Sequence, residues 1–197
     1  MFKFFGSFYA HPMTPEKFRR SLSIVREGME VQRLDALVIM MNPGGSTPLC
    51  DHIPKCSASC LHETSDLPEP TDPDKTQHRI TALMKLKNWN HVRVINLSDV
   101  RAKKLHLVKV VDLPGDHSMF APSRAAELDS ELSKAPLVIC AWGKSSELAH
   151  IARLAMVRLD SLDIPIYGIA NAAKTDYYHP LYPGIGYWPN EMAKLIP

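Results

Sequence analysis

Polar residues able to do chemistry recur in this sequence directly after short apolar runs. Asn42-Pro43-Gly44-Gly45 follows one run, and Asn96-Leu97-Ser98-Asp99 with Arg101 follows a second. Trp142-Gly143-Lys144-Ser145 follows a third, and Asn171 and then His179-Pro180-Leu181-Tyr182-Pro183 follow a fourth. An asparagine amide offers a donor and an acceptor together, and a histidine moves or donates a proton near neutral pH. Lysine, arginine and serine suit a phosphate, and glycines let a ligand approach the backbone. Each piece alone has a plainer account: Asn-Pro-Gly-Gly is turn chemistry, Trp-Gly is packing, and a lone His-Pro is a loop. Their recurrence at the end of every run is the stronger signal.

The elements that position them are read from apolar periodicity. Residues 37–41, 92–97, 137–142 and 164–169 are short, nearly continuous apolar runs, the pattern of parallel strands covered on both faces. Pro165 moves the fourth to an edge or delays its start. Thr14 as N-cap, Pro15, and Phe18, Leu22, Val25 and Met29 at helical spacing predict a first helix. Ile80, Leu83 and Met84 mark a second, and Leu128 and Leu132 a third after Pro122 and Ser123. Leu148, Ile151, Ala152, Ala155 and Leu159 mark a fourth, capped by Ser145 or Ser146. Alternation of strand and helix predicts a three-layer α/β/α sandwich around a four-stranded, largely parallel central sheet. Ligands of such sheets bind beyond the carboxyl ends of the strands, where the polar clusters fall.

Composition narrows the class. The chain has 197 residues with 45% hydrophobic and 22% charged, and reads as a single domain, 1–197. No apolar run is long enough to span a membrane and the start is no convincing secretion signal, so a cytoplasmic location is expected. A net charge of +2 restricts any nucleic-acid contact to a local patch. No dinucleotide fingerprint, Walker loop or serine elbow is present. A loop insertion at about 44–74 interrupts the rhythm and holds Cys50, His52, Cys56, Cys60 and His62. Cys50, Cys56, Cys60 and His62 are candidate ligands of a structural zinc, set against incidental loop cysteines. An iron–sulfur cluster lacks a fourth clustered thiolate. Cys140, inside an apolar run, reads as a buried small hydrophobe.

Taken in order, Asn-Pro-Gly after the first strand, the Asn96 segment, Val-Ile-Cys-Ala-Trp-Gly and His179-Pro180-Leu181 resemble the ordered motifs of the uracil-DNA glycosylase superfamily, its mismatch-specific branch in particular. The set is also similar to a bacterial glycosylase-like family of unknown function with His-Pro-Leu-Tyr near its end. The resemblance implies hydrolysis of an N-glycosidic bond in DNA, with the target base flipped out of the stack. It implies His179 as donor to a carbonyl of the leaving base and Asn42 as holder of the attacking water. It implies substrate contacts from Pro43, Gly44, Gly45, Asn96, Trp142 and Asn171, and DNA contacts from Arg101, Lys144, Ser145, Leu181 and Tyr182. DNA is the expected partner, with no membrane and no obligate protein partner, and catalysis needs no cofactor. The uracil-specific branch carries aspartate where Asn42 stands, and an aromatic follows it where Gly44 and Gly45 stand here. The resemblance therefore implies no particular base; a bulky modified base, as in phage DNA, suits the insertion beside Asn42. Two alternatives stay open: a hydrolase or transferase acting on free nucleosides or nucleotides, and a catalytically silent module that binds nucleobases or nucleic acid.

Overall fold

The computed structural model describes residues 1–29, 33–49 and 68–197. One sheet of eight strands runs through it, in the order β4-β5-β1-β2-β6-β3-β7-β8. The strands are β1 (Phe2–Ala10), β2 (Lys17–Arg26), β3 (Ala36–Met40), β4 (Thr47–Pro48), β5 (Glu69–Asp72), β6 (His91–Asn96), β7 (Val138–Cys140) and β8 (Ile166–Tyr167). The α-helices among the described residues are α1 (Lys75–Leu86), α2 (Ala125–Ser133), α3 (Ala149–Asp160) and α4 (Trp188–Leu195).

This corrects the expected fold class. The sheet is mixed and mostly antiparallel: β4 with β5, β5 with β1, β1 with β2 and β2 with β6 are antiparallel pairs, and only β6-β3-β7-β8 is parallel. The four runs read as strands make up that parallel part. The error lies at the N-terminus, where the helix expected after Thr14 is strand β2. Phe18, Leu22 and Val25 do fit a helical spacing, but β2 lies between two strands and is buried on both faces. Its near-continuous burial carries no period to tell strand from helix. The aromatic-rich start, read for its leader-like character, forms strand β1 at Phe2–Ala10.

Side chains alternate between two cores, as a pleated strand requires. Leu37, Ile39, Ile95, Leu97, Val138 and Cys140 join Leu128 and Leu132 of α2 and Ile151, Ala155 and Leu159 of α3. Val38, Met40, Val92, Val94 and Ile139 join Ile80, Leu83 and Met84 of α1 and Trp188 and Met192 of α4. Cys140 is buried in the first core, as expected of it. The short β8 starts after Pro165 at the sheet edge, where proline removes no ladder bond. The paired strands β4 and β5 lie within the stretch read as a loop insertion at about 44–74. Among the described residues no helix is long and apolar enough to cross a membrane.

One irregularity decides where a functional side chain points. In the β1–β2 ladder Ser7 pairs with Ser21 but Phe8 pairs with Arg19, so Arg20 is an extra residue in β2. Such a bulge reverses the inside–outside alternation beyond it. Leu22 belongs to the core under α1 and α4, whereas Phe18, four residues earlier, packs in the opposite core. Arg20 turns to Glu127 on α2, and Arg19 is left on the α1 side.

The loop after β6 is fixed by buried charge. Arg124 pairs with Asp99 and Glu127, and Tyr9 Oη donates to Asp99 Oδ2 at 3.1 Å. Beside it Ser98 Oγ accepts from Val100 N and lies 2.9 Å from His117 Nδ1. Burial lowers the His117 imidazole to about 4 from its ordinary 6.5. The unfolded chain therefore takes up a proton that the folded chain refuses between these values. Stability is full above pH 6.5 and falls as pH drops toward 4, by about 3 kcal/mol from this group. An NMR titration should show His117 neutral down to about pH 4, and urea unfolding of His117→Gln should lack this share of the acid loss. A His117 that titrates near 6.5 would remove the effect.

Candidate functional site

Parallel strands β3 and β6 end side by side, and the loops leaving them cannot continue the sheet. A cleft of about 680 Å³ opens there. Its lining comes from Met40 to Gly45 after β3, Asn96 at the end of β6, Ala102 and Lys103, the first turn of α1, and His179 with Leu181. The antiparallel β2 brings a further group. Leu22 pairs with Val94, so the start of β2 lies beside the end of β6 and carries Arg19 into the cleft.

Asn42 faces the cleft and also fastens it. Its Nδ2 donates to the carbonyls of Val100 at 3.1 Å and Ala102 at 2.8 Å. Two carbonyl acceptors fix the amide orientation and leave Oδ1 as the remaining polar atom. Gly44 sits at φ +65°, and a Cβ there would lie 2.8 Å from Asp74 Oδ2; one on Gly45 would meet Lys103 Cε at 2.8 Å. Gly44 is thus required by its conformation and by the close approach of Asp74, whereas at Gly45 only the flexible end of Lys103 would have to move.

Asp74 is the N-cap of α1. Its Oδ1 accepts from Thr76 N at 2.8 Å and Gln77 N at 3.3 Å, and the Gln77 side chain returns to Asp74 N in a capping box. Oδ2 reaches Gly45 N at 3.3 Å. The carboxylate therefore joins helix to glycine loop at the cleft wall.

His179 presents a defined tautomer. Its Nδ1 accepts from Leu181 N at 3.2 Å, so the proton of the neutral ring is on Nε2, free to donate. Burial lowers its pKa, against an opposing pull from Asp74, so the ring is neutral at pH 7.

Two side chains in the cleft are buried with polar atoms unused. Asn96 is 0% exposed and neither Nδ2 nor Oδ1 has a partner among the described residues. Arg19 is 1% exposed and its Nε and Nη1 are likewise unpartnered. Burial lowers its guanidinium to about 10, with Asp74 raising it and Arg101 lowering it. Even so, Arg19 makes no ion pair within 4.0 Å among the described residues.

Of the residues expected at the site, Asn42, Pro43, Gly44, Gly45, Asn96, His179 and Leu181 share this cleft. A second cleft of about 470 Å³ shares Met41, His179 and Leu181 with it and is lined by Lys144, Asn171 and Tyr182. Tyr182 stacks on Tyr178 at 4.4 Å, and Asn171 spends its amide on Thr175 and Asp176. Trp142 is not a lining residue: it is 1% exposed and packs edge-on to Tyr177 in the core. Ser145 donates to Glu147, and α3 starts only at Ala149 with Leu148 as N-cap. Its expected serine cap is therefore replaced, and an acid stands before the helix. Arg101 lies over the Phe8 ring and holds the Ser46 carbonyl, lining a smaller pocket with Gly44, Gly45 and Lys103. Cys50, Cys56, Cys60 and His62, the candidate zinc ligands, lie outside the described residues.

Sequence reasoning missed Arg19 and Asp74. Asp74-x-x-Gln77 ahead of Ile80 was a readable capping signal. Arg19 had none, because the bulge that turns it is set by pairing with β1.

The fold and cleft define an α/β protein with one mixed sheet and a donor-rich polar site at the ends of its parallel strands. The chain belongs to the DUF1643 family, described as proteins of unknown function, whose model matches residues 63–181. That span takes in Asp74, Asn96 and His179, while Arg19 and Asn42 precede it. No curated protein and no solved structure matches the chain.

The clamp at Asn42 makes a stability prediction. Asn42→Ala should lower unfolding free energy by about 1–2 kcal/mol in urea, since two part-buried carbonyls lose their donor. Asn42→Asp should cost more, because it sets a carboxylate against those same carbonyls. Equal stability of Asn42→Asp and the wild type would exclude the clamp.

Proposed function

We propose that this protein is a DNA glycosylase that hydrolyses the N-glycosidic bond of a flipped-out base and leaves an abasic site. The observation that carries this reading is Asn96, buried with a donor and an acceptor both unused among the described residues, in one cleft with His179, whose neutral ring carries its proton on Nε2. A buried unpaired amide costs about 1–3 kcal/mol. The edge of a nucleobase, which carries a donor and an acceptor in one plane, removes that cost. The cleft volume suits a small planar ligand.

The chemistry follows from the same groups. As the bond from base to sugar breaks, negative charge collects on the base and positive charge on the sugar. His179 Nε2–H donates to a carbonyl oxygen of the base as that oxygen gains charge. Asn96 fixes the orientation of the base. Asn42 Oδ1 accepts a hydrogen bond from the attacking water and positions it; an amide does not act as the base. Leu181 and Tyr182, 42% and 45% exposed, stand at the rim as wedges for the gap left in the duplex. Lys103, Lys144 and Arg101 supply local positive charge for phosphates. The reaction suits DNA repair or defence against phage DNA with modified bases.

DNAs carrying a range of normal and modified bases should be incubated with the protein, released bases read by mass spectrometry and abasic sites by alkaline cleavage. Single-turnover release should fall roughly 10²–10³-fold in His179→Ala, the loss of one preorganised donor. DNA affinity should hold, because phosphate contacts carry most of it. Hydrolysis of free nucleosides without abasic sites in DNA would replace this reading with a nucleoside hydrolase. Binding with no release from any substrate would leave a nucleobase-binding module.

A further inference from the structure

Arg19 is a desolvated cation with no counter-ion in contact among the described residues, and neither the fold nor the roles above require it. Taking a charge out of water costs several kcal/mol unless a partner restores the lost contacts. Three features aim it at a ligand. The bulge at Arg20 turns it to the α1 side, it lines the same cleft as Asn96 and His179, and its Nε and Nη1 have no acceptor among the described residues. Asp74 acts on both Arg19 and His179 from the cleft wall. The cleft is lined by three cationic side chains, Arg19, Lys75 and Lys103, and one carboxylate, Asp74, and of the cations Arg19 is the buried one; it makes no ion pair with Asp74.

On the glycosylase reading, we infer that Arg19 stabilises the departing base as an anion while Asp74 faces the sugar as it becomes cationic. When the C1′–N bond breaks, its electron pair passes to the base nitrogen and spreads to the ring oxygens, where Arg19 and His179 donate. Water adds its oxygen to C1′. Its surplus proton passes by way of Asp74 to solvent, and the base anion takes a proton from solvent on release. The sum is one water consumed, one base and one abasic site formed. The separated charges match a transition state that is itself charge-separated, so they act more strongly there than on the bound substrate. The implied substrates are bases with carbonyl oxygens near the scissile nitrogen, and adenine, with no such oxygen, is disfavoured.

The test uses two active substrates of identical DNA whose bases differ by one halogen that makes the leaving nitrogen more acidic. Arg19→Met should slow release of the parent base roughly 100-fold and that of the halogenated base distinctly less. Arg19→Lys should recover part of the rate. A second measurement needs no turnover: calorimetric titration with free xanthine, an acidic dioxopurine, at pH values on either side of its ionisation. The wild type should bind the ionised form more tightly by roughly 10-fold or more, and a folded Arg19→Met should not. Equal slowing of both substrates with pH-independent xanthine binding would make Arg19 structural and overturn the inference, with glycosylase activity left standing. Absence of base release from every DNA would instead overturn the proposed function. Xanthine binding that tightens on ionisation would even then keep the anion-binding role of Arg19.

Discussion

A single extra residue in β2 governs the placement of charge in this protein. Had β2 paired with β1 without the bulge at Arg20, Arg19 would point to the opposite side of the sheet, toward Asp99 and Glu127, and would not reach the cleft. With the bulge, Arg20 reaches Glu127 and Arg19 reaches the cleft. The direction of β2 matters as much. Because β2 runs antiparallel to β6, it delivers its first residues where the parallel strands deliver their last. A parallel neighbour would have brought its carboxyl end instead, and with it a loop in place of a buried strand residue. Polar groups from strands of opposite direction thus meet at one end of the sheet.

The cleft is held open by a chain of interactions that starts in the opposite core. Arg124 fixes Asp99 with help from Tyr9. The Asp99 carbonyl in turn accepts from Arg19 N at 2.8 Å, so the same residue anchors the backbone of the cationic side chain. The segment that follows presents the Val100 and Ala102 carbonyls to Asn42. Buried ion pairs of this kind contribute little net stability against apolar replacements, but removing one partner strands the other at a cost of several kcal/mol. Their value here is geometric: they set an irregular loop to within hydrogen-bonding tolerance of the glycine turn. Arg20, Glu127 and Arg124 then connect β2, α2 and that loop into one charged cluster.

The parallel part of the sheet was legible because strands covered on both faces must be continuously apolar, and the four such runs stand out. The polar residues at their ends were legible for the same reason: a side chain just past such a strand faces the crevice. Asn42, Asn96 and His179 were found in this way and do share a cleft. Trp142 obeyed the same rule yet lies in the core, because the turn at Gly143 takes the chain away beneath Tyr177. The antiparallel part was not legible. β2 has too little alternation, and a bulge erases what alternation a strand would have shown across residues 18–22. No sequence period can report a register that depends on a second strand.

Asp74 shows how a local rule and a site constraint meet in one residue. As an N-cap it satisfies backbone donors of α1, a role that serine, threonine or asparagine would also fill. As a cleft residue it must carry charge, since it is the acid that raises the pKa of both Arg19 and His179 against burial. It also forbids a side chain at Gly44, where a Cβ would come within 2.8 Å. Capping and the helix dipole already favour an acid here, and the glycine answers both to its positive φ and to the carboxylate beside it. A helix start that only needed closing could have used a neutral cap and an ordinary turn. The combination makes sense when the negative end of the cleft has to be rigid, because a carboxylate held by backbone N–H groups cannot swing across to neutralise Arg19. Separation of the two charges is then a property of the backbone, built in before any substrate arrives.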